Sequence, residues 1–94
     1  MSWSVKLTKS SDAEIDGLPA SVRQEVYEAI TDIGEDPYLD GSIELDGYPG
    51  HRRIHFYRGR YRIVYMVSEK QRRVIVTRIR PRGTAYIGYQ PPHR

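Results

Sequence analysis

Six residues in the second half of the chain have the types and spacing to handle a phosphodiester: Arg53, His55, Arg62, Arg80, Arg82 and Tyr86. Attack of a ribose 2′-hydroxyl on the adjacent phosphate needs a proton acceptor, cations that stabilise charge on the phosphoryl oxygens, and a proton for the departing 5′-oxygen. His55 is the one side chain in this set that titrates near neutrality unaided, its ordinary pKa being about 6.5. Arginine, with a pKa above ~12, accepts protons poorly but clamps phosphate bidentately, which suits Arg53, Arg62 and either Arg80 or Arg82 to charge stabilisation. Tyr86 can stack on a nucleobase, an interaction worth roughly 1–3 kcal/mol. These parts can bind and cleave RNA without metal, and no metal or other cofactor is expected.

The charge distribution supports a polyanionic partner. Residues 1–50 hold 3 Lys and Arg against 11 Asp and Glu, whereas residues 51–94 hold 12 against 1, so halves of −8 and +11 hide inside a net charge of +3. A positive field this concentrated suits nucleic acid. Around the six candidates, Arg52, Arg60, Arg72, Arg73 and Arg78 are expected to contact the RNA backbone, and Arg72 and Arg73 flank a turn where they position phosphate or face solvent. The 94 residues suffice for one domain with one modest core, since 38% are hydrophobic and 29% charged. The chain has no cysteine, which removes disulfides and thiolate metal sites and fits a reducing compartment. Its longest apolar run, residues 63–67, is far too short for a bilayer, so a cytoplasmic protein without membrane contact is expected.

Hydrophobic periodicity supplies the elements that hold these side chains. Trp3, Val5 and Leu7 alternate as in a short strand, and Ser11 with Glu14 has capping-box spacing for a first helix that Gly17 interrupts. Pro19 marks the start of a second helix. Val22, Val26, Ala29, Ile30 and Ile33 recur at helical spacing until Gly34 and Asp36-Pro37 end it. Residues 35–50 read as a connection with a short extended piece around residues 43–45. From Arg52 the period is two: a hairpin turning at Arg58-Gly59, a second turn at residues 69–71, and a third strand from Arg73 that Pro81 stops. Strands joined by short loops pair antiparallel with the helices on one face, which predicts an α+β fold of order β-α-α-β-β-β.

Alternation also assigns faces. Ile54 and Phe56 share one side, so Arg53, His55 and Tyr57 point to the other, and Arg62 lies opposite Tyr61 and Ile63. Tyr61 and Tyr65 belong with the core. Alternation leaves open which of Arg78, Arg80 and Arg82 reaches the cationic surface.

Several of these residues also carry a family resemblance. Leu18-Pro19, Val22-Arg23, Asp36-Pro37, Leu45-Asp46-Gly47, Arg53-Ile54, the stretch Gly59-Arg60-Tyr61-Arg62-Ile63-Val64-Tyr65, and Ile79-Arg80-Pro81-Arg82 with Tyr86 resemble the RelE/ParE superfamily of bacterial toxins. The resemblance implies a small antiparallel sheet against two N-terminal helices, here a single domain over residues 1–89 with a short tail at 90–94. It implies one of two activities: RelE-like toxins cut messenger RNA in the ribosomal A site, and ParE-like toxins inhibit DNA gyrase. Arg53 and His55 fall where the RelE branch carries two sheet lysines. Arg62 matches its hairpin arginine, and Arg80 or Arg82 with Tyr86 matches its late arginine and tyrosine. Because arginine and histidine replace the lysines, the resemblance supplies no proton acceptor at those positions; His55 is assigned that part on its chemistry alone, and the catalytic histidine that some relatives carry near the C-terminus makes His93 a second candidate.

The reading reached from sequence is thus a ribosome-dependent endoribonuclease toxin. Its partners are the ribosome, messenger RNA and a cognate antitoxin whose acidic, amphipathic segment covers the basic face. The alternatives are a gyrase inhibitor without bond-breaking chemistry and a family member that only binds RNA or ribosomes.

Overall fold

The computed structural model describes residues 3–89; the 90–94 tail and His93 lie outside the described residues. Within the described residues the hydrophobic periods become two helices and five strands around one core. Strand β1 (Ser4–Leu7) leads into helix α1 (Lys9–Asp16), helix α2 (Ala20–Glu35), a two-residue strand β2 (Ile43–Glu44), β3 (His51–Phe56), β4 (Tyr61–Ser68) and β5 (Arg73–Pro81), followed by a 3₁₀ turn at Arg82–Thr84. From α2, Val22, Val26 and Ile33 are buried with Ile15 of α1 against Phe56, Ile63, Tyr65, Val74, Val76 and Ile79 of the sheet. Burial of these apolar side chains is the main force holding helices to sheet. Tyr65 is fully buried, and its hydroxyl donates to the Pro37 carbonyl at 2.6 Å, so its one polar atom is satisfied. Among the described residues no helix is long and apolar enough to cross a membrane.

The sheet order is β1-β5-β4-β3-β2. Three of its pairings are antiparallel: β3–β4 and β4–β5 as expected, and the short β2 against β3, which adds a strand to the expected order. The fourth differs: β1 pairs parallel with β5, so the sheet is mixed. Periodicity shows which residues share a face but carries no information on which distant strand lies alongside. With most of the chain between β1 and β5, the parallel crossover is open to them.

Two local expectations also change. The cap of α1 is Thr8, whose side chain accepts from the Ser11 backbone N–H at 3.1 Å, and the helix begins at Lys9. Ser11 is a buried helical residue instead, with its hydroxyl donating to the Val76 carbonyl of β5 at 2.9 Å. Helix α2 runs through Gly34 to Glu35 and is capped by Asp36 before Pro37, and β1 crosses it at Gly34. A Cβ on Gly34 would sit 3.1 Å from Val5 Cγ2, and the Gly34 carbonyl accepts from Trp3 N at 2.8 Å. Glycine admits the close approach.

The β3–β4 hairpin closes through Arg60 N donating to Tyr57 O at 3.1 Å. Its central residues Arg58 and Gly59 have φ of 57° and 79°. This is the primed turn geometry that keeps the two strands twisted together, and it fixes the register in which His55 faces Arg62.

Candidate functional site

The sheet face away from the helices is divided in two. Arg53, His55 and Arg62 stand on its open half. His55 and Arg62 are register partners, and Arg53 precedes His55 by two residues on the same strand. Arg53 Nη1 donates to His55 Nε2. A guanidinium can only donate, so Nε2 is the acceptor in this contact and a neutral ring carries its proton on Nδ1. Burial, then the positive charges of Arg62, Arg53 and Arg82, hold the His55 imidazole below its usual 6.5. It is therefore neutral at pH 7, the state a proton acceptor needs.

Arg62 is only 9% exposed. Its Nη1 donates to the Gly59 carbonyl of the hairpin turn at 2.8 Å, which aims the guanidinium along the open half. Desolvation is the main influence lowering its pKa, Arg53 adds to this, and the Tyr86 phenol works in the opposite direction. Arginine nonetheless stays charged near neutrality. Arg82 enters the group from the exit of β5, where its backbone N donates to Arg60 O at 2.9 Å. Its charge bears on both His55 and Arg62. Tyr86 is 43% exposed beside Arg62.

Arg80 has a different setting. It opposes Arg62 in the register, yet its Nε donates to Glu14 of α1 at 2.6 Å, the one ion pair among the described residues. The other oxygen of Glu14 accepts from the backbone N of Ile79 at 2.8 Å. Strand β1 stops opposite Val76, so it is too short to satisfy that amide, and a carboxylate from α1 does so. The spacing of Glu14 from Ser11 points to a capping role, and no local signal in the sequence reveals the partner 65 residues away.

Of the five arginines expected on the RNA backbone, Arg60 is exposed at the hairpin. Three others are engaged within the protein. Arg52 donates to Ser42 Oγ at 2.9 Å and lies 5.1 Å from the Tyr38 ring centre, and Arg72 lies 4.3 Å from that of Trp3. Arg78 Nη1 donates to the carbonyls of Ile87 at 2.7 Å and Ala85 at 3.3 Å. Arg73 is half-buried, with Nε lacking a hydrogen-bond partner among the described residues.

The closed half lies under residues 85–89. Tyr89 packs edge-on against Tyr48 and His51 with ring centres 5.4 and 5.8 Å away, and its hydroxyl pairs with Thr77 Oγ1 at 2.8 Å. His51 is on the same strand face as Arg53 and His55 but is only 3% exposed, with Nδ1 3.1 Å from the Pro49 carbonyl. Alternation could have placed His51 on this face. It could not show that Tyr89 covers it.

Residues 3–86 match the family model of the ParE toxin of the type II toxin–antitoxin system, parDE. The chain is a member of that toxin family. No curated protein sequence matches it. The toxin shares its fold with the isolated E. coli RelE toxin at 22% identity and a TM-score of 0.74, over 84% of this chain and 83% of RelE. It is similar to the RelBE2 toxin–antitoxin complex from Mycobacterium tuberculosis at 21% identity and a TM-score of 0.76, over 87% and 100% of the two chains. The archaeal RelE–RelB complex from Pyrococcus horikoshii gives 24%, 0.73, 90% and 100% for the same quantities. The superfamily resemblance in the sequence and the helices-on-sheet fold it implied are both borne out. The toxin is one component of a toxin–antitoxin module.

Proposed function

We propose that the toxin is a ribosome-dependent endoribonuclease of the cytoplasm that cuts messenger RNA at the open half of its sheet face. The observation that carries this reading is Arg62: a residue only 9% exposed, with no carboxylate partner among the described residues and with Arg53, Arg82 and His55 for neighbours. A desolvated cation costs several kcal/mol unless an anion compensates it, so this arrangement favours an incoming phosphate. Arg53, Arg62 and Arg82 clamp the phosphoryl oxygens. The phosphate draws the Arg53 fork away from His55, which frees Nε2 to take the 2′-hydroxyl proton. The 2′-oxygen bonds to phosphorus, the bond to the 5′-oxygen breaks, and water reaching this exposed face protonates the leaving oxygen. Tyr86 stacks on a flanking base, and Arg60 contacts the backbone beside the site. Arg80 acts behind Arg62 as the anchor of β5 to α1. An antitoxin with an acidic, amphipathic segment silences the toxin by covering the cations and the exposed Tyr86 and Ile87.

The match to the ParE family favours a second reading, inhibition of DNA gyrase without bond breaking. Mapping messenger RNA ends in cells expressing the toxin, alongside a supercoiling assay with gyrase, separates the two. Ribosome-phased cuts support the nuclease. Inhibited supercoiling with intact messages would sink it.

A further inference from the structure

Arg78 was expected to bind RNA, yet its guanidinium points into the protein and grips the chain on both sides of Tyr86. One donor, Nη1, reaches the carbonyl before that residue and the carbonyl after it, at Ala85 and Ile87. The same guanidinium lies 5.0 Å from the ring centre of Tyr89. Tyr89 is itself tied to β5 through the Thr77 hydroxyl and buried to 8% exposure. Ala85 is buried, whereas Tyr86 between the gripped carbonyls is exposed. Among the described residues, the backbone bonds within residues 84–89 are two long ones, Ile87 N to Thr84 O and Tyr89 N to Tyr86 O, both 3.3 Å. Such bonds would not keep an exposed segment in one place by themselves. Arg78 and Thr77 are both available on this face because the β4–β5 register slips between Val64 and Tyr65, so that Val64 opposes Arg78 and Tyr65 opposes Val76. A bulge of this kind re-aims side chains.

We propose that Arg78 is a positioning residue: with Tyr89 and Thr77 it forms a latch that holds Tyr86 over the Arg62 end of the site. The consequence for cleavage rests on the nuclease reading above; the latch itself does not. Arginine fits this place because Nη1 carries two N–H groups for the two carbonyls while the guanidinium plane meets an aromatic ring. A lysine ammonium has the donors but no planar face for the ring.

The test uses Arg78→Met, which keeps a long apolar stem and removes the donors. Amide exchange at Ile87 and Tyr89 should accelerate at least tenfold, while Ile63 and Tyr65 in β4 keep wild-type protection. Cleavage of messenger RNA on programmed ribosomes should fall about tenfold. In a Tyr86→Ala background, whose residual cleavage is the reference, the same substitution should cost less than threefold, because the latch then holds nothing that acts. Arg78→Lys should recover part of both losses. Tyr89→Phe keeps the ring and loses the bond to Thr77, so it should give a smaller change of the same kind. It also replaces Arg78→Met as the test if β4 protection shows that variant to be unfolded. Unchanged exchange at Ile87 and Tyr89, or an equal loss of cleavage with and without Tyr86, would overturn the proposal. Should wild-type toxin cut no RNA, the nuclease reading fails and amide exchange alone decides the latch.

Discussion

The two halves of the outer sheet face use the same residue types to opposite ends. In the closed half the cation and the histidine are absorbed by the protein: Arg78 serves two backbone carbonyls, and His51 is buried beneath Tyr89 and beside Tyr48. In the open half Arg53, Arg62 and Arg82 crowd around His55, whose pKa is lowered by desolvation and then by their charges. Both halves belong to the same strands, so the difference does not come from the local sequence of either. It comes from where residues 82–89 lie after β5. They cover one half and deliver Arg82 and Tyr86 to the rim of the other. The open half gathers three arginines with no carboxylate among the described residues and leaves their charge to be neutralised from outside, whereas Arg78 has two carbonyls and an aromatic ring engaged within the protein.

The strongest way to break this contrast is to remove the buried cation of the open half. Arg62→Ala should lower cleavage on ribosomes by about a hundredfold, comparable to loss of a preorganised charge-stabilising donor. It should do so without lowering the unfolding midpoint, because a desolvated charge with no carboxylate partner contributes little to stability. His55→Ala should cost more than tenfold in the same assay. The imidazole is the base when neutral and its pKa is held below 6.5, so the acidic limb of the wild-type kcat/KM profile should have its midpoint below 6.5. Arg53 is one of the charges responsible. Arg53→Met should therefore move the His55 titration, followed by NMR, upward toward 6.5.

Smaller effects sharpen the comparison. Arg82→Ala should weaken RNA binding across sequences and reduce the slope of log K against log salt by about 1, the mark of one lost phosphate contact. Glu14→Gln, at the edge where a cation does have a carboxylate, should cost about 1 kcal/mol in denaturant unfolding. The smallest effect belongs to Tyr38. Its hydrogen bond to Glu69 at 2.5 Å, with burial, raises its pKa from 10.0 to about 12. Between those values the unfolded phenol ionises first, so stability should decline slightly as pH rises from 10 to about 12. In Tyr38→Phe that contribution to the decline should vanish.

Much of this arrangement was legible in the residues. The period-two run from Arg53 to Ser68 assigned Arg53, His55 and Arg62 to one face, and the hairpin turn brought His55 opposite Arg62. The acidic half of the chain became the helical layer on the other side. What alternation could not show depends on long-range neighbours. The parallel pairing of β1 with β5, the hold of Glu14 on Arg80 and Ile79, and the cover of Tyr89 over His51 each join residues distant in the chain. Arg78, Arg80 and Arg82 are spaced by two and share a parity, so alternation does not distinguish them, and the bulge near Thr77 breaks the period that would relate them to Val74 and Val76. Side-chain partners separate them: backbone carbonyls for Arg78, a carboxylate for Arg80, and the field around His55 for Arg82.

If the open half makes the 2′-hydroxyl attack its own phosphate, cleavage depends on that hydroxyl, which can be removed on ribosomes programmed with a message carrying one 2′-deoxy nucleotide at the cleavage position, with the unmodified message in parallel. The unmodified message should yield a 2′,3′-cyclic phosphate on the upstream fragment and a free 5′-hydroxyl on the downstream one, and the deoxy message should bind but stay whole. Cutting of the deoxy message at the same position would contradict the assignment.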